Sequence, residues 1–124
     1  MPARFLPLLY FGFAHLCLLA AFAILAWDPG GLGASFYQPR MRAAVHLVTL
    51  GFLSAAILGS IYLVGPLALR MPMVPSRLDH AAFWAFALGA LGMIGHFWLD
   101  SPRGMAWAAA LTILGMSQVA VRVL

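Results

Sequence analysis

The side chains able to do chemistry in this 124-residue sequence are few: four histidines, one cysteine, three aspartates and seven arginines, with no lysine or glutamate. Neutral imidazole is the side chain best suited to hold iron or another transition metal near neutral pH, so the histidines come first. His46 opens the stretch "HLVTLGFLSAAILGSIYLVGP", residues 46–66, in which no residue is charged apart from the histidine itself. Such a run reads as a membrane-spanning helix, where an ionisable group is costly and is a functional candidate by default.

His46 falls about five residues inside its apolar run, ~7 Å from the start at the helical rise. His96 lies a few residues before Asp100, near the end of the next run, which returns in the opposite direction. The two imidazoles therefore sit at similar depth on antiparallel helices, as a six-coordinate haem with one histidine on each face requires. His46 and His96 are the candidate metal ligands and haem b the candidate cofactor, with His15, near the middle of the first run, as an alternative ligand. Gly92 and Gly89 precede His96 by four and seven residues on the same helical face, where missing side chains would let a flat macrocycle approach the backbone. Arg40, Arg42 and Arg103 lie at the same membrane surface, where haem propionates need cations. His80 lies at the opposite boundary, 16 residues or ~24 Å from His96, too far to share one iron, and reads as an interfacial residue. Gly51, Ala55 and Gly59 form a small-residue stripe on the far side of the second helix from His46, suited to packing another helix.

Four elements must position these groups. Apolar runs cover about 5–27, 41–69, 80–99 and 105–121, each near the ~20 residues needed to cross a bilayer. The segments between them, "WDPGGLGASFYQPR", "RMPMVPSRLD" and "DSPRG", hold most of the prolines and nearly all the charge. Continuous apolarity without period-two alternation excludes a barrel. With 65% hydrophobic and 8% charged residues, a chain this small could not hide its apolar surface in water. The sequence thus predicts an all-α membrane protein: four transmembrane helices in an antiparallel up-down bundle, one domain over 1–124. The first run exceeds a signal-peptide h-region and lacks a clean A-x-A site, so it is expected to be retained. Arg4, Arg70, Arg77 and Arg122 fall on the side of both termini and Arg40, Arg42 and Arg103 on the other, four against three in favour of cytoplasmic termini.

Other classes drop away. The net charge of +4 is spread over single residues between apolar runs, with no basic cluster for nucleic acid or anionic lipid. Cys17 has no second cysteine to pair with and reads as a small buried hydrophobe. No general acid, nucleophile or phosphate loop of a hydrolase or transferase is evident.

His46, Leu50, Gly51, Gly59, Tyr62 and Pro66 resemble, in type and spacing, a helix of the haem–copper oxidase catalytic subunit, in the branch of the cbb-type oxidases and nitric-oxide reductases. In that family the late helix carries an H-x-H pair followed by a Leu-Gly step, a later glycine, a tyrosine and a proline. His46 matches the second histidine, the low-spin haem ligand. Ala44 stands where the high-spin haem ligand would be, and no copper-site histidine cluster is present. NnrS-like membrane haem proteins, linked to nitric-oxide metabolism, are similar over the same stretch. The match covers about a quarter of the chain.

The resemblance implies a bacterial inner-membrane protein equivalent to one four-helix arc of the oxidase subunit, carrying electrons through a low-spin haem but lacking the oxygen-reducing centre. It also implies termini-inside topology and a homo-oligomer such as a trimer, in which a neighbouring protomer supplies the second histidine. The alternatives are an NnrS-like gas sensor or nitric-oxide-handling protein with one open axial position, and a cofactor-free structural or assembly subunit of a respiratory complex. Redox partners, quinone and membrane lipid are the partners in view; nucleic acid is not.

Overall fold

The computed structural model describes residues 5–68, 70 and 73–124. Helix α1 spans Phe5–Trp27, a short α2 spans Pro29–Ala34, α3 spans Pro39–Ala68, α4 spans Arg77–Trp98 and α5 spans Met105–Val123. No strand occurs among the described residues. All but α2 are long and apolar enough to cross a membrane. Of the sequence expectations, Arg4 and Leu69 lie outside the described residues.

Local chemistry sets the boundaries. Asp28 caps α2, accepting from the Gly31 amide at 2.9 Å, and a proline follows it at the first turn. Pro39 likewise opens α3. Helix α4 begins at Arg77, three residues before the apolar run itself, because Ser76 and Asp79 form a reciprocal capping box that adds a turn. It ends where Asp100 adopts φ 50°, and Gly104, at φ 84°, turns the chain into α5. Within α3 the stretch Leu47–Ser54 widens into a π-helix, and the Ser54 hydroxyl donates to the Thr49 carbonyl five residues back at 3.0 Å.

Pairings across the bundle fix its direction. The α1–α3 contact matches Cys17 to Gly51 and Tyr10 to Gly59; α3–α4 matches Arg42 to Asp100 and Tyr62 to Asp79; α4–α5 matches Gly89 to Thr112 and Ala82 to Gly115. In each pair one number rises as the other falls, so successive spans are antiparallel. The chain is an all-α, four-helix, multi-pass membrane protein, as its composition requires.

Two apolar clusters fill the interior. Leu6, Tyr10, Phe83, Phe86 and Val119 surround one, and Cys17, Ala21, Ala43, Leu47 and Ile94 form the other. The Gly51–Ala55–Gly59 stripe packs on α1 as expected: all three residues are buried, and a Cβ at Gly59 would sit 2.9 Å from that of Tyr10. Leucines such as Leu16, Leu19, Leu88 and Leu114 face outward, towards lipid. Trp27, Tyr37, Trp98 and Trp107 are exposed at the end carrying the 28–38 and 99–104 connections, an aromatic belt of the kind found at membrane surfaces.

Candidate functional site

Three of the four histidines share one device. The Nδ1 atoms of His15, His46 and His80 lie 2.7, 2.7 and 2.9 Å from the carbonyls of Phe11, Arg42 and Ser76, each four residues earlier. A carbonyl only accepts, so Nδ1 must carry the proton, and in the neutral ring Nε2 keeps its lone pair. This is the tautomer in which metal-bound imidazole is held when its other nitrogen donates to a carbonyl.

Their surroundings differ. His15 is exposed on the outer face of α1, ten residues from one end of the helix and twelve from the other, so ~15 Å or more from either surface. His80 Nε2 is enclosed by the chain and unpartnered. His46 is part-buried, its ring lying on that of Phe97 with centroids 4.0 Å apart and planes at 31°. His96 lacks the device altogether. Its Nδ1 is buried without a partner, and its ring rests against the turn at Gly104, where a Cβ would fall 2.9 Å from Nε2.

The structure places His46 and His96 towards one end of the bundle, as their depths require, since Arg42 and Asp100 join there. The ring lying on His46 is that of Phe97 rather than His96. The two glycines also serve another purpose. A Cβ on Gly89 would meet the Thr112 amide nitrogen at 2.5 Å, and one on Gly92 would meet Ala108 Cβ at 3.0 Å. Helix α5 therefore fills the face expected to admit a macrocycle, because the missing side chains let two backbones close together.

The arginines at this end are largely engaged. Arg40 pairs with Asp28 at 3.1 Å and lies over Trp98. Arg42 pairs with Asp100 and lies over Phe97. Arg103 is exposed and makes no ion pair among the described residues. A cleft of about 300 Å³ opens between Ile24, Trp27, Arg40 and Trp98. No group of three or more histidine, cysteine or acidic side chains stands ready for a metal among the described residues.

The opposite end holds a polar cluster that the sequence argument passed over. Asp79 is wholly buried. One carboxylate oxygen accepts from Tyr62 Oη at 2.8 Å; the other accepts from the Ser76 amide at 2.6 Å and its hydroxyl at 2.8 Å. Arg122 reaches the same oxygen at 3.2 Å and the Val74 carbonyl at 2.7 Å. Asp79 thus ties α3, α4, α5 and the 73–76 segment together. Tyr10 stacks on Tyr62 at 6.0 Å, its own hydroxyl buried and unpartnered. The signal was present: "SRLD" is a capping-box pattern immediately before an apolar run.

No protein-family model, curated protein or solved structure matches the chain.

Proposed function

We propose that the chain is a haem b-binding electron carrier of the bacterial inner membrane, termini on the cytoplasmic side, with His46 supplying one axial nitrogen. The observation that carries this is the Nδ1–H bond from His46 to the Arg42 carbonyl, which leaves Nε2 unprotonated, its lone pair free for a metal, near a membrane surface. The two residues with the same tautomer fit less well. His80 Nε2 is enclosed, and His15 lies so deep that haem propionates would be stranded in hydrocarbon.

The internal partner His96 fits poorly, since its ring is held against Gly104 and α5 covers Gly89 and Gly92. The second ligand in this proposal is therefore His46 of a second copy. A twofold axis along the membrane normal brings both copies of a residue to equal depth. Haem, when bound, supplies one-electron cycling of iron. The chain's residues do the rest: the Arg42 carbonyl fixes the tautomer and raises ligand basicity, Phe97 holds the ring plane, and Arg103 is a cation available to a propionate at that surface.

The test is a reduced-minus-oxidised absorption spectrum of the purified protein with its subunit count by native mass spectrometry. His46→Ala abolishes the low-spin bands, His96→Ala retains them, and haem accompanies two chains. Low-spin bands surviving His46→Ala, or haem at full occupancy in a monomer, overturn the proposal.

A further inference from the structure

We propose that the π-helix Leu47–Ser54 is the positioning element for His46, taking up turn that in an α-helix would carry the imidazole away from α4. Its bearing on haem rests on the ligand reading above; the register itself does not. Helix α3 meets α4 at two places. Tyr62 Oη donates to Asp79 at 2.8 Å, and sixteen residues earlier the His46 ring lies on Phe97, with centroids 4.0 Å apart. Arg42, one turn before His46, pairs with Asp100 just past the end of α4. Helix α1 is met twice at the same interval: Gly59 packs on Tyr10, and Ala43 is buried in the cluster that holds Cys17 and Ala21.

An α-helix cannot make these contacts. Sixteen residues at ~100° each make four turns and ~160° more. Tyr62 and His46, like Gly59 and Ala43, would then stand on nearly opposite faces, and only one end of α3 could stay on its neighbours. Bonds closed five residues back instead of four lower the turn to ~80° per residue. The π-helix has eight residues; with eight α-helical ones they complete four whole turns, as both pairs require. The Ser54 hydroxyl, which donates to the Thr49 carbonyl five residues back at 3.0 Å, shows the same wide spacing in a side chain. What the site gains is orientation. With Tyr62 held by Asp79, the π-helix lays the imidazole on Phe97; an α-helix would face it away from α4.

The test is NMR of the haem-free full chain in detergent micelles. His46→Ala assigns the His46 ring protons, and Phe97→Leu, which removes the ring current of the stacked phenyl, gives their unshifted position. Deleting Thr49 and Leu53, both exposed, leaves His46 and Tyr62 fourteen residues apart, ~40° short of four α-helical turns. This variant folds, keeps the Phe97 shift on His46, and loses as much stability on Tyr62→Phe as wild type does. Inserting one alanine after Thr49 instead adds ~100° that nothing absorbs. The His46 protons then move to their Phe97→Leu position, while helix content by circular dichroism holds. If the double deletion unfolds the chain or loses the Phe97 shift, or if the insertion keeps that shift, the proposal is overturned. Should the insertion variant not fold, the deletion decides alone. Because these spectra contain no haem, failure of wild type to bind haem would sink the ligand reading and leave the shifts unchanged.

Discussion

Replacing Asp79 should separate the cost of a missing charge from that of missing acceptors. Asp79→Ala removes both oxygens from a site with no solvent access. The Tyr62 hydroxyl and the Ser76 amide then lose their acceptor, at ~1–3 kcal/mol for a buried donor, and the α4 cap goes with them, at ~1 kcal/mol. Arg122 loses its partner too, but its side chain is 35% exposed and can turn to water, so its share is small. The sum is ~3–7 kcal/mol, which contains the ~3–5 kcal/mol seen when one member of a buried ion pair is deleted. Asp79→Asn is different. Its oxygen can face Ser76 while its amide donates to a Tyr62 hydroxyl turned round to accept, so only charge is lost and the cost is ~1–2 kcal/mol. Tyr62→Phe removes a single hydrogen bond, at ~1 kcal/mol. Equilibrium unfolding in mixed detergent–SDS micelles, followed by circular dichroism, gives all three values. If Asp79→Ala and Asp79→Asn agree within ~0.5 kcal/mol, or Arg122→Gln costs as much as Asp79→Ala, the acceptor account is wrong.

Other perturbations follow from geometry. Gly115→Ala places a Cβ 2.6 Å from both the Ala82 carbonyl oxygen and the Phe86 amide nitrogen; backbone cannot yield, so the α4–α5 pair opens at a cost of ~1–3 kcal/mol in the same unfolding assay. Gly12→Ala is the control: nothing lies within 4 Å, and the melting temperature should hold or rise slightly. Gly104→Ala demands a left-handed alanine, at ~1–2 kcal/mol, and crowds His96, so the His96 ring resonances should move in an NMR spectrum while those of His46 stay. Asp100→Asn breaks the Arg42 pair where Asp100 is 65% exposed, and thermal unfolding should register less than ~1 kcal/mol.

Hydropathy located the spans within a few residues because each is a property of a stretch, not of a partner. The first, expected at 5–27, is Phe5–Trp27, and the second and fourth, expected at 41–69 and 105–121, are Pro39–Ala68 and Met105–Val123. The third began early, at Arg77 rather than 80, because Ser76 and Asp79 made polar residues helical. Depth of the histidines was legible for the same reason. Rotation about each helix axis was not. One residue turns a side chain by about 100°, which is why Phe97 rather than His96 meets His46. Nor could Gly89 and Gly92 declare their neighbour, since a close-packed helix and a flat ligand ask the same thing of a backbone. The Asp79 cluster joins residues 62, 76, 79 and 122, and no local pattern announces that Tyr62 and Arg122 converge on the cap.

The Asp79–Arg122 contact also imposes an order on biogenesis. Arg122 is translated 43 residues after Asp79, once α1, α3 and α4 have already been made. Until α5 is threaded into the bilayer, the carboxylate has only Ser76 and Tyr62 for company and α4 presents Gly89 to lipid instead of to Thr112. Arrival of α5 neutralises the acid and closes the glycine seam together. Docking of α5 against α4 and completion of the ion pair are thus coupled by the fold, and a chain lacking α5 carries an aspartate without its arginine.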